Sequence, residues 1–203
     1  MASELIDVWP IFRALDDLPQ ARACEAAGRF RIGSLGRLHP NKRYEDLVAA
    51  AGWLRDQHPS AAARMEILIG GEGPEQAALA AQIERLGLGG MVRLVGFIER
   101  PAEFLAGLHG YVQPSHHEGM CIAAHEAMQA GLPVVATPVG ELRRSVIDGQ
   151  TGHVVPIGDP PALARALLAL ADDRARAAAM GQASRARVLE RFGAAAFDRS
   201  GFA

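Results

Sequence analysis

From Phe30 onward the chain alternates short apolar runs with longer stretches of helical spacing, and this rhythm constrains the fold more than any other feature. The apolar runs occupy residues 30–35, 65–69, 91–95, 110–113, 133–136 and 153–155; the helical stretches between them occupy 43–57, 74–86, 101–108, 120–130 and 142–147. A helix between two strands carries the chain back to the end at which the first strand began, so the strands it joins run parallel. Such a sheet is covered by helices on both faces. The pattern predicts an α/β chain with a Rossmann-like, doubly wound parallel sheet.

The domain division follows from where the rhythm sets in. Residues 1–29 read as an irregular connecting segment, with Pro10, Pro19 and a short Ala/Arg-rich helical stretch over 20–27; residues 30–203 form the Rossmann-like domain. Two further helices are expected over 160–171 and 174–191, the first opened by Asp159 as cap and Pro160 in the first turn. The Ala-rich final third could pass for low complexity, but Leu163, Leu167, Leu168 and Leu170 supply a packing face. No internal repeat is evident.

Composition removes several classes of function. A net charge of −2 lacks the basic face that a general nucleic-acid binder needs to neutralise phosphates. The two cysteines, Cys24 and Cys121, have no metal-ligand spacing and read as free thiols of a reducing compartment. The opening residues Met1-Ala2-Ser3-Glu4 lack the basic region and apolar run of a secretion signal. No stretch reaches the roughly 18 apolar residues of a membrane span. The expectation is a cytoplasmic protein, with room for peripheral attachment to the inner face of a membrane.

In doubly wound sheets ligands bind outside the carboxyl ends of the strands, and three strand-to-helix loops there carry unusual residues. The first contains Gly33, Gly36, Arg37 and Lys42: glycines that allow close backbone approach, and two cations that could clamp a diphosphate. Of the 21 lysines and arginines only Lys42 is a lysine. The spacing lacks the Gly-Lys-Ser/Thr ending of a P-loop, and an ordinary solvated basic loop is the competing reading. The second loop, Gly70-Gly71-Glu72-Gly73-Pro74, admits a ligand, a neighbouring loop, or merely a tight turn before a helix opened by Pro74.

The third loop holds Glu118 and Glu126, eight positions apart. In a helix starting near Gly119 this spacing gives roughly 12 Å of axial rise and places both carboxylates toward one cleft. The helix start between them would offer N–H groups to an anion. The order hydroxyl-binding group, anion site, hydroxyl-binding group suits a sugar–diphosphate–ribose molecule. Against this, Ser115-x-x-Glu118 fits a capping box, and Glu126 fits the surface of an amphipathic helix, although Ala123, Ala124, Ala127 and Met128 bracket it. His116, His117 and His125 lack zinc-ligand spacing and read as hydrogen-bonding or packing residues.

Taken in order, these motifs resemble the C-terminal domain of family-4 glycosyltransferases, one half of the two-domain GT-B architecture. The similarity runs from Phe30 to Phe192. It comprises Gly36-Arg37 with Lys42; Gly71-x-Gly73-Pro74; Val92 with Gly96-Phe97-Ile98; Pro114-Ser115 with Glu118-Gly119 and Glu126-Ala127-Met128; Gly131-x-Pro133-Val134-Val135; and Asp148-Gly149-x-Thr151-Gly152. The resemblance implies a retaining glycosyltransferase that binds a nucleoside-diphosphate sugar and passes its hexose to a saccharide, lipid or small-molecule acceptor. Arg37, Lys42 and Glu118 would be catalytic. Gly36, Gly73, Phe97, Ile98, Gly119, Met120, Cys121 and Glu126 would bind the donor: Glu118 the sugar hydroxyls, the backbone at Gly119, Met120 and Cys121 the phosphates, Glu126 the ribose, and Phe97 and Ile98 the base. No metal and no cofactor beyond the donor is implied, and the acceptor would be held by an N-terminal domain, missing or separate. A catalytically incomplete nucleotide-sugar-binding module is the alternative; an epimerase of similar architecture fits the motif series less well. Three departures stand out: Arg43 where a glycine often follows the lysine, His125 where an apolar residue is usual, and Val139-Gly140-Glu141-Leu142-Arg143 where paired glycines and a downstream Glu are common.

Overall fold

Six runs of β-favouring residues, each closed off by glycine, proline or a polar loop, form the strands: β1 (Phe30–Leu35), β2 (Met65–Gly70), β3 (Val92–Gly96), β4 (Gly110–Gln113), β5 (Val134–Ala136) and β6 (Gly152–Val154). The computed structural model describes residues 28–192. Cys24, the stretch expected over 20–27 and nearly all of the expected connecting segment lie outside the described residues. Every strand pairs in parallel, in the order β3-β2-β1-β4-β5-β6. The expected strands are all present, with ends moved by a residue or two.

Helices α1 (Tyr44–Gln57), α2 (Pro59–Ala62), α3 (Gln76–Arg85), α4 (Pro101–Ala106), α5 (Ile122–Gln129), α6 (Leu142–Ser145), α7 (Pro160–Asp172) and α8 (Arg174–Phe192) cover both faces. Because successive side chains of a strand point to opposite faces, the sheet separates two cores. Ile32, Ile67, Val112 and Val135 join Leu47, Leu54, Leu163 and Leu167 on one side. Tyr111, Val134 and Ala136 join Leu105, Met128 and Leu142 on the other. α8 links the two, giving Met180 to the first and Val188 to the second. Among the described residues no helix is long and apolar enough to cross a membrane.

Local chemistry sets the helix ends. Asp159 caps α7 as expected, its carboxylate accepting from the Ala162 N–H at 2.8 Å. α3 begins at Gln76 rather than Pro74, because the backbone of Glu72 and Glu75 on either side is bonded to Leu38 of the neighbouring loop. α5 begins at Ile122 rather than near Gly119: Cys121 has φ 57° and ψ 56°, a left-handed conformation that cannot continue a right-handed helix backwards. α6 ends at Ser145, after which Val146 is extended.

The strand order determines where a site can form. β1 is flanked by β2 and β4, so the winding direction reverses between β1 and β4 and their following loops diverge, opening a crevice at the carboxyl ends. The first and third loops border that crevice.

Candidate functional site

The loop after β1 is laced to the loop after β2. The Gly36 N–H donates to the Gly70 carbonyl at 3.0 Å, Leu38 N–H to Glu72 at 2.9 Å, and Glu75 N–H to Leu38 at 3.1 Å. Gly71 and Gly73 exist for this approach: a Cβ on Gly71 would lie 1.9 Å from the Gly36 carbonyl oxygen, and one on Gly73 2.3 Å from that of Leu38. The neighbouring loop, not a tight turn, therefore explains these glycines. Gly33 serves packing instead of ligand approach, since a Cβ there would meet Leu108 Cδ1 at 2.3 Å.

A 3₁₀ turn, Pro40–Lys42, then aims Lys42 back over Gly36. Arg43 follows with φ 52°, the left-handed conformation that suits glycine, and its guanidinium binds both Asp46 carboxylate oxygens at 2.6 and 2.9 Å. That bidentate pair offsets the backbone strain and makes the departure from glycine tolerable.

Across the crevice Lys42 meets the loop after β4. Its Nζ lies 2.6 Å from Glu118 Oε1, joining residues 76 positions apart. The same oxygen accepts from Ser115 Oγ at 2.6 Å and Gln113 Nε2 at 3.2 Å, and Gln113 also donates to Ser115 at 2.7 Å. Gln113 is in turn held by Tyr111, whose hydroxyl donates to Gln113 Oε1 at 3.1 Å, with the Leu35 carbonyl at the same distance as the alternative acceptor. Asn41 completes the join, its carbonyl accepting from the His116 N–H at 3.0 Å. All three donors converge on Oε1, and among the described residues Oε2 accepts from no other group.

This network overturns the capping-box reading of Ser115 and Glu118. The helix starts four residues beyond Glu118, and the Ser115 hydroxyl binds the Glu118 side chain itself. It also replaces the geometry of two helical turns: Glu118, Gly119, Met120 and Cys121 form a loop, and only Glu126 lies within α5. Among the described residues the N–H groups of Gly119, Met120 and Cys121 donate to no other group, so anion-binding donors are present but come from the loop before the helix.

Glu126 contrasts with Glu118. It is half-buried, has no hydrogen-bond or ion-pair partner among the described residues, and burial alone pushes its carboxyl pKa up. The amphipathic-surface reading does not describe a carboxylate in that state. Cys121 is buried and free, and burial, reinforced by the Glu118 charge, raises its thiol to about 12. It is a thiol at neutral pH and offers its backbone, not a nucleophile. His125 is fully buried, with Nδ1 3.0 Å from the Cys121 carbonyl, Nε2 2.8 Å from Ser145 Oγ, and Phe192 edge-on at 5.1 Å. It is a packing residue that fastens α5 to α6, and burial lowers its pKa.

The other expected residues are dispersed around this centre. Arg37 is exposed, without a side-chain partner among the described residues, and does not join the Lys42–Glu118 cluster. Phe97 is 71% exposed, and Ile98 covers Gly70, where a Cβ would lie 2.7 Å from Ile98 Cγ1. Gln113 went unnoticed in the sequence; its signal was a polar side chain ending an apolar strand. Gly140, which in the sequence marks only a departure from the family pattern, also supports this loop. With φ 49° it presses against the Gly119 and Glu118 carbonyls, where a Cβ would sit 2.1 and 2.5 Å away, while the Glu141 N–H binds the Gly119 carbonyl at 3.0 Å. Among the described residues no set of His, Cys, Asp and Glu side chains comes together to hold a metal.

A Rossmann-like sheet with a cation and unused backbone donors at its switch point, followed by an unpartnered carboxylate, defines a class of nucleotide-binding domain. The comparison with known proteins narrows it: residues 22–187 match the family described as glycosyl transferases group 1, and the chain belongs to that family. The chain is 37% identical over 186 residues to a D-inositol 3-phosphate glycosyltransferase of Streptomyces avermitilis, a match covering 83% of this chain and 39% of the relative. Among solved structures it is similar to a sucrose-phosphate synthase from Thermosynechococcus elongatus (30% identity, TM-score 0.77, 92% of this chain and 49% of that one). It is also similar to Anabaena HepE in complex with UDP and glucose (26% identity, TM-score 0.76, 86% and 47%). The chain thus spans about two fifths of the length of the curated relatives it matches.

Proposed function

We propose that this chain is the donor-binding half of a retaining, family-4 hexosyltransferase of GT-B architecture, acting on a nucleoside-diphosphate sugar. The observation that carries the reading is the contrast along one segment: Glu118 fixed beside Lys42 at the crevice, and Glu126 half-buried without a partner farther along it. HepE, similar over 86% of this chain, is a complex with UDP and glucose, which favours a uridine diphosphate donor.

In this reading Lys42 neutralises the diphosphate, together with the N–H groups of Gly119, Met120 and Cys121, and Arg37 closes on it from the exposed loop. Glu118 Oε2 takes sugar hydroxyls, Glu126 takes the ribose hydroxyls, and the base lies against Phe97 and Ile98, with Gly36 and Gly73 shaping the floor. The anomeric carbon–oxygen bond breaks as the diphosphate leaves. The acceptor hydroxyl bonds to the same carbon on the same face and passes its proton to the departing diphosphate oxygen. Charge developing on the leaving group is stabilised by cations already in place, and no step is assigned to a metal. The acceptor, a saccharide, lipid or small molecule, lies between this chain and a second domain or chain that holds most of it, and the protein works in the cytoplasm at or near the inner membrane face.

Calorimetry with UDP, GDP, ADP and UDP-glucose tests the reading. UDP and UDP-glucose are expected to bind, with little turnover by this chain alone because positioning of the acceptor needs the other half of the cleft. No binding by any of these nucleotides overturns the donor site; efficient transfer by the chain alone overturns the need for a second half.

A further inference from the structure

Beside the proposed donor loop lies a second cavity, of about 400 Å³, lined by Gly119, Met120, Gly140, Glu141, Arg143 and Arg144. One wall is the backbone at Gly119, the residue after the fixed Glu118. The opposite wall is the short helix α6 with its two adjacent arginines. The walls are rigidly related, because Gly140 packs directly on the Gly119 and Glu118 carbonyls and the Glu141 N–H donates to Gly119.

The charge of this cavity is positive. Glu141 is its one acidic group, and that carboxylate is already held by Arg191 of α8. Arg144 is 3.8 Å from Glu141 and its side chain is 76% exposed. Arg143 is exposed and has no carboxylate partner among the described residues; its Nε donates to the Pro138 carbonyl at 2.5 Å, and its two terminal nitrogens donate to no group among them. A guanidinium tethered through Nε with a free fork of N–H groups matches the planar geometry of a carboxylate or a phosphate.

We propose that Arg143, assisted by Arg144, forms an anion subsite adjoining the donor sugar position and selects a substrate bearing a carboxylate or phosphate on its sugar-sized group. The anion belongs either to the donor hexose, as a uronate, or to the acceptor, as a phosphorylated sugar; the chemistry of recognition is shared. The inference rests on the donor-site reading above.

The test is calorimetry in two arms on the wild-type chain and on the Arg143→Gln and Arg143→Gln/Arg144→Gln variants. One arm compares UDP-glucuronate with UDP-glucose. The other titrates glucose 6-phosphate against glucose with UDP saturating. An anionic probe is expected to bind roughly tenfold more tightly than its neutral counterpart in one arm, as charge-assisted hydrogen bonds provide, and the arm identifies the source. That preference is expected to fall away in the variants while UDP affinity stays unchanged. Absence of preference in both arms, or a preference that survives the double substitution, overturns the subsite. Failure of UDP to bind the wild-type chain overturns the donor reading itself and is recognised by that control.

Discussion

Glu118 and Glu126 share one segment of the chain, yet the fold treats them in opposite ways. Around Glu118 three donors converge on one carboxylate oxygen, one of them brought from the far side of the crevice. Around Glu126 the fold withdraws water and supplies no partner. The first arrangement is complete before any ligand arrives and helps hold two loops together. The second costs stability, and under the proposed function a bound ligand supplies the missing partner. The proposed site thus has one end that also holds the fold together and one end that contributes nothing to its stability.

Substitution should separate the two ends. Glu118→Ala leaves Lys42, Ser115 and Gln113 without their common acceptor and is expected to cost about 2–3 kcal/mol, read as a lower urea midpoint. A midpoint equal to that of the parent would mean the network contributes nothing to the fold. Next in size is Gly140→Ala, which forces a Cβ against two carbonyls at a positive φ and is expected to cost about 2 kcal/mol. Because Gly140 supports only the Glu118 end, nucleotide still bound by this variant should retain its dependence on Glu126.

Glu126→Gln should have a smaller effect of opposite sign. Burial raises the carboxyl pKa in the folded state above its unfolded value, so the ionised group destabilises the fold at neutral pH. That penalty disappears as pH falls below the unfolded value, about 4.3 for a glutamate. The variant should therefore unfold at a slightly higher temperature than the parent at pH 7, with the gain gone near pH 4. A variant less stable than the parent at pH 7 would mean that Glu126 has a structural partner.

How much of this was legible beforehand differs between fold and site. The sheet was readable because each strand is a short apolar run bracketed by helical spacing, and the Asp159-Pro160 cap was readable because its chemistry is local. The Lys42–Glu118 contact was not, since it depends on β4 lying beside β1, a fact of strand order that periodicity does not carry. The helix start at Ile122 was hidden by a left-handed Cys121, a conformation that residue type does not announce. The role of Gly140 is illegible for a related reason, since it packs on carbonyls some twenty positions away, whereas Gln113 acts on near neighbours, Ser115 and Glu118, that come within its reach only because the segment is a loop and not a helix. The sequence pairs Arg37 with Lys42 as a clamp, and the fold leaves Arg37 exposed and apart from the Lys42–Glu118 contact.

The central claim is that Glu126 is held open for the nucleoside while Lys42 serves the diphosphate. Titrating uridine and UDP into the parent, Glu126→Ala and Lys42→Ala chains by calorimetry tests it most directly. The account predicts that Glu126→Ala weakens both ligands, by about tenfold for hydrogen bonds to a charged acceptor, whereas Lys42→Ala weakens UDP by a similar factor and leaves uridine unchanged. Parent-like binding of both ligands by Glu126→Ala would contradict it.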